Sequence, residues 1–87
     1  MENQQAFEAA VAASKQLSEK PDNETLLALY SLYKQATEGD LPANAEEPGM
    51  FDFVARAKFD AWKNQQGKSQ DDARNEYIRL VSDLQSR

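Results

Sequence analysis

An all-α fold, a four-helix bundle with a long crossover between helices 2 and 3, is predicted by three features of the 87-residue sequence. Apolar residues recur at i, i+3, i+4 and i+7 in four stretches, the period of a helix with one buried face. No stretch alternates apolar and polar residues as a half-buried strand does. Proline and glycine punctuate the joints, and the second joint is long. The length suits one small domain spanning residues 1–87.

Helix 1 is expected from Asn3 to Leu17, with Phe7, Ala10, Val11 and Leu17 inward. Its alanines favour the helix and permit close packing. Ser18 to Asp22 form the break, because Pro21 cannot continue a helix. Asp22 or Asn23 then caps helix 2, which Gly39 ends through a backbone conformation that glycine tolerates. Residues 39–49 hold two prolines and two glycines. That loop is longer than the roughly 2–8 residues joining adjacent bundle helices, so helix 3 is free to start at the far end and run parallel to helix 2. Helix 3 is expected from Met50 to Gln65, with Phe51, Val54, Ala55, Phe59 and Trp62 as its apolar set, and Gly67 closes the segment. Ser69-Gln70-Asp71-Asp72 resembles a capping box. It opens helix 4, whose inward face is Ala73, Tyr77, Leu80, Val81 and Leu84.

Composition excludes more than it assigns. Without cysteine there is no disulfide, thiolate metal site or cysteine nucleophile, and without histidine the commonest neutral-pH base and metal ligand are gone. Gly67-Lys68-Ser69 copies the tail of a phosphate loop, but Trp62 stands where the earlier glycine belongs and no strand precedes it. Catalysis, a metal and a cofactor are therefore not expected. Met1-Glu2-Asn3-Gln4-Gln5 lacks the basic start of a signal peptide. Nothing approaches the 18 or more apolar residues of a membrane span. A cytoplasmic protein without stable membrane insertion is expected, and a monomer. The net charge of −5 argues against nucleic acid. Yet residues 54–68 carry Arg56, Lys58, Lys63 and Lys68 against Asp60 alone, a local +3 that a compact phosphate could feel and that also suits a solvated helix face.

The most informative stretch is Tyr30-Ser31-Leu32-Tyr33-Lys34-Gln35. On a helix, Tyr30, Tyr33 and Lys34 share one face. Two phenols and an ammonium suit a ligand with a flat aromatic part and an anionic part. The same stripe also describes tyrosines half-buried in a core beside a surface lysine.

The text from Pro21 to Gly39, with its Tyr-Ser-Leu-Tyr-Lys-Gln-Ala-Thr centre, closely resembles the signature of the acyl-CoA-binding protein family. Pro48-Gly49-Met50-Phe51-Asp52-Phe53, Ala57-Lys58-Phe59-Asp60-Ala61-Trp62 and Ser69 to Ala73 with Tyr77-Ile78 continue the likeness across nearly the whole chain. The resemblance implies the same four-helix fold with a surface bowl for a thioester ligand. It implies that Tyr30, Lys34 and Lys58 hold the 3′-phosphate of coenzyme A, and that Tyr33 and Tyr77 flank adenine and ribose. Lys15 would lie near the phosphates, with Ser31 and Leu32 in the same strip. The implied function is carriage of long-chain fatty acyl-CoA, shielding the acyl chain and buffering an intracellular pool. Ala10, Ala13 and Leu26 or Leu27 are expected along the chain. Four departures stand out: Asp22 for a small residue, Phe59 for tryptophan, Val54 for lysine, and a slightly longer crossover. The alternative reading is a small helical interaction module using an apolar groove for a partner helix. A thioesterase is a third.

Overall fold

The computed structural model describes residues 3–86; Met1, Glu2 and Arg87 lie outside the described residues, and with them part of the N-terminal reading. The elements are α1 (Gln4–Ser14), α2 (Asn23–Glu38), α3 (Phe53–Lys63) and α4 (Gln70–Gln85), with no strand among the described residues. Helix α2 packs on both α3 and α4, and α1 leans on α4. The core joins Phe7 and Ala10 of α1, Leu29, Leu32 and Ala36 of α2, and Ala73, Tyr77 and Val81 of α4. Ile78, Leu80 and Leu84 pack partly buried against it.

Three caps set the helix starts. The side chains of Asp22, Asp52 and Ser69 accept from the backbone N–H groups of Thr25, Ala55 and Asp72, satisfying donors that a helix leaves unpaired. The Asp52 cap corrects the expected start of helix 3. Gly49 and Asp52 close a turn (Asp52 N to Gly49 O, 3.1 Å), so Met50 and Phe51 precede α3. It ends at Lys63, and residues 64–67 form a turn. Helix α1 likewise stops at Ser14, not Leu17: the N–H groups of Lys15 and Gln16 turn to carbonyls three residues back, at 3.2 and 2.9 Å. Gly39 and Gly67 take φ of +80° and +92°, which side chains resist.

The expected inward face of α3 is also corrected. Trp62 is buried, but Phe51 and Val54 are 80% and 68% exposed, and Phe53 71%. Helix α3 lies against α2 alone, so a single packing line suffices, and residues nearer its start project past it.

As expected, α3 runs parallel to α2. Residues at the start of both helices line one depression, while Gln65 Nε2 donates to Ser31 Oγ (3.0 Å) and Trp62 Nε1 to Gly39 O (2.9 Å) farther along. A polar stitch holds the far end. The buried Gln35 amide donates from Nε2 to Asp40 Oδ1 and to Lys68 O, both at 2.7 Å. Asp40 Oδ1 also accepts from Gly67 N at 2.9 Å. The loops leaving α2 and entering α4 are thereby tied through one side chain.

Candidate functional site

Capped by Asp22 and tied down at Gln35, α2 presents opposite faces to different neighbours. Leu29, Leu32 and Ala36 go into the core, Tyr30 and Tyr33 line a chain of shallow depressions, and Lys34 lies over the Trp62 ring beside them. One depression, about 360 Å³, gathers Lys15, Tyr30, Tyr33 and Tyr77 with apolar Val11 and Leu29. A second, about 440 Å³, is walled by Leu26, Leu27 and Tyr30 of α2 and by Phe53, Ala57 and Lys58 of α3. A third, about 300 Å³, reaches from Tyr30 and Lys58 to Trp62 and the crossover residues Leu41 and Pro48. Tyr30 borders all three. Of two other depressions, the one around Glu19 and Lys20 takes in Ala13, expected along the acyl chain but set apart from Tyr30 and Lys58, and the one around Pro42 and Lys63 contains none of the expected ligand residues.

The aromatic groups support one another. Tyr33, 40% exposed, stacks on Phe7 with centroids 6.0 Å apart and meets Tyr77 at 6.4 Å. Phe7 and Tyr77 pack edge to face at 5.2 Å, a favoured arrangement for ring quadrupoles. The buried Tyr77 donates its hydroxyl to Ser14 Oγ at 3.1 Å. Tyr33 thus offers an accessible ring on an aromatic base, and Tyr77 closes the depression from beneath.

The cations are distributed around these rings. Lys58 Nζ lies 5.3 Å from the Tyr30 ring centroid, and Lys34 Nζ 4.8 Å from that of Trp62, both within cation–π range. Lys34 also ion-pairs with Glu38. That carboxylate hydrogen bond is the main reason the ammonium is held above the ordinary lysine value of 10.5, so its charge is secure at neutral pH. Lys58 and Lys15 make no ion pair among the described residues.

Ser31 and Leu32 are placed differently. Both are buried. Ser31 Oγ donates to Ala28 O (3.1 Å) and accepts from Gln65, so it fastens α3 to α2. Leu32 belongs to the core. Residues one and two positions from Tyr30 point away from its face, as helix geometry requires. Leu26 and Leu27 line the apolar depression, whereas Ala10 is in the core. Phe53, Ala57 and the supporting Phe7 went unremarked as site residues in the sequence reading, although Phe53 and Ala57 share the i, i+4 spacing that places them on one face.

Among the described residues no cluster of three or more acidic side chains is placed to hold a metal ion. Ring faces, mobile ammonium groups and an apolar wall define a binding surface for an amphiphilic anion. The comparisons with known proteins agree with that class. The family model described as acyl CoA binding protein matches residues 4–81. The chain is 50% identical over 80 residues to the acyl-CoA-binding protein of Saccharomyces cerevisiae, covering 92% of this chain and 90% of that one. It is 49% identical over 83 residues to enoyl-CoA delta isomerase 2 of Rattus norvegicus, covering 95% of this chain but only 21% of that enzyme. The crystal structure of Oryza sativa acyl-CoA-binding protein 2 superposes with a TM-score of 0.89 at 41% identity, over 95% of this chain and 88% of the other. The chain belongs to the acyl-CoA-binding protein family and is a binding protein. No helix among the described residues is long and apolar enough to cross a membrane.

Proposed function

We propose that the chain, as a single domain over residues 1–87, binds and carries long-chain fatty acyl-CoA thioesters and buffers an intracellular pool of them as a cytoplasmic monomer. The observation that carries this reading is Tyr30, shared between the aromatic–cationic depression with Lys15, Tyr33 and Tyr77 and the apolar one with Leu26, Leu27 and Phe53. A ligand with a nucleotide head and a hydrocarbon tail matches two adjoining surfaces of those kinds. Tyr30, Lys34 and Lys58 are assigned to the 3′-phosphate, Tyr33 and Tyr77 to adenine and ribose, and Lys15 to the remaining phosphates. Lysine suits the task because its ammonium is a mobile point charge that meets phosphate from several directions. Adenine stacks on any aromatic face. Ser31 and Leu32 contribute indirectly, by fixing how α2 sits. An acidic protein of net charge −5 is a poor nucleic-acid binder.

Magnitudes divide the work. Each sequestered methylene contributes about 0.8 kcal/mol, so ten give about 8 kcal/mol before ordering costs. A lysine–phosphate contact at about 4 Å is worth at most about 4 kcal/mol gross at an effective dielectric near 20. The tail therefore sets affinity, and the phosphate contacts separate coenzyme A esters from free fatty acids. Calorimetry with palmitoyl-CoA, its 3′-dephospho analogue and palmitate tests this. The expected order of affinity is the order given, and equal binding of all three refutes the reading. A helix-binding module would instead bind its partner undiminished after Tyr30→Phe and Lys34→Ala.

A further inference from the structure

Lys34 is already engaged before any ligand arrives. Glu38, one turn along α2, ion-pairs with its ammonium, and the Trp62 ring flanks it. Glu38 is the last residue of the helix, whose final turn carries no basic residue. That end is the negative pole of the helix, where an anion is disfavoured. The side chain is half exposed and takes no part in the core. Its carboxylate accepts a hydrogen bond from the Lys34 ammonium, and its ion pair is with the same group. The other two lysines of the site carry no such partner among the described residues.

We infer that Glu38 is an internal competitor for the ligand's phosphate, an affinity-setting residue that occupies the Lys34 ammonium in the free protein. The inference rests on the acyl-CoA reading above. An ammonium has three donors, so an arriving phosphate either displaces the carboxylate or shares Lys34 with it. Displacement forfeits the ion pair and strands an anion at the negative end of α2. Sharing sets two like charges side by side. Both routes weaken binding relative to a lysine with no rival, and both act only on ligands that carry the phosphate Lys34 contacts. Exposed ion pairs of this kind shift an equilibrium by about two- to fivefold, which sets the size of the effect.

The test is a double-mutant cycle by calorimetry on the full chain, using wild type, Glu38→Gln, Lys34→Ala and the double variant, each shown folded by circular dichroism. Glu38→Gln is expected to bind palmitoyl-CoA about threefold more tightly than wild type at low salt. The gain should shrink in about 0.5 M salt, where exposed charges are screened. It should vanish in the Lys34→Ala background and with 3′-dephospho-palmitoyl-CoA. No gain, or an equal gain in the Lys34→Ala background or with the dephospho ester, overturns the inference while leaving acyl-CoA binding in place. A wild-type protein that binds neither ester overturns the functional reading itself, and the competitor with it.

Discussion

The two sides of α2 are packed by different rules. Toward α4 it buries Leu29, Leu32 and Ala36 against Ala73, Tyr77 and Val81, with Phe7 and Ala10 of α1 completing a continuous apolar cluster. Toward α3 the contact buries less apolar surface: Trp62 is buried, side-chain hydrogen bonds bridge the two segments, and Phe53 and Val54 stay exposed on the wall of the depression between the helices. Apolar burial stabilises by roughly 25 cal/mol per Å², so the first side holds the fold. The second sits around an open groove and leaves apolar surface in water. A small bundle has little core to spare, and here it concentrates that core on one side so that the other stays available to a ligand.

Substitutions that cross this divide test it. Leu32→Ala should have the largest effect, a loss of about 3 kcal/mol of stability from the cavity it opens. Urea denaturation measures it, and the affinity of the remaining folded protein for palmitoyl-CoA should be unchanged. A selective loss of affinity would return Leu32 to the ligand strip. Trp62→Phe comes next. It leaves the Gly39 carbonyl without its indole donor, at a cost of about 1–2 kcal/mol, again read by denaturation. A smaller cost would mean that α3 is held mainly by something other than this stitch.

Phe53→Ser inverts the pattern. Stability should stay within about 0.5 kcal/mol because the ring is exposed. Palmitoyl-CoA should bind about fivefold more weakly, through lost apolar contact. Titration with a short-chain ester should show no such change; a matching loss would place Phe53 outside the tail's path. The smallest effect concerns acid. Gly67 N–H, and then the Gln35 amide, hold the Asp40 carboxyl below its ordinary value of 3.8. A depressed carboxyl favours the folded state above the unfolded value, and that contribution disappears as pH falls through the folded one. The melting-temperature gap between wild type and Asp40→Asn should therefore be constant near neutrality and close below about pH 3.8. A gap that does not change as the pH is lowered into the acid range would mean that the Asp40 charge has no part in the stitch.

Much of this was legible in the sequence. Four periodic stretches, the break at Pro21 and the long crossover gave the helix count and the parallel α2–α3 pair, because each depends on local signals. The grouping of Tyr30, Tyr33 and Lys34 followed from helix geometry alone. What was missed depends on tertiary competition. Asp52 has the chemistry of a cap, yet Gly49 three residues earlier is an equally good local stop, and only the turn they close together decides between them. Phe51 and Val54 have the composition of a core and are outside it, since periodicity reports a face without saying whether anything covers it. Gln35 stands on the same face as Leu32 and Ala36. A polar residue on an apolar stripe was a sign that it had distant partners, but not which ones.

Tyr30 has a practical consequence for anyone altering ligand preference. A ring that forms the common wall of three adjoining hollows cannot be changed for one without disturbing the others. On the proposed assignment, chain-length selectivity is to be engineered at Leu27 or Phe53 and headgroup selectivity at Lys15 or Lys34, while position 30 is best left as the fixed pivot between them.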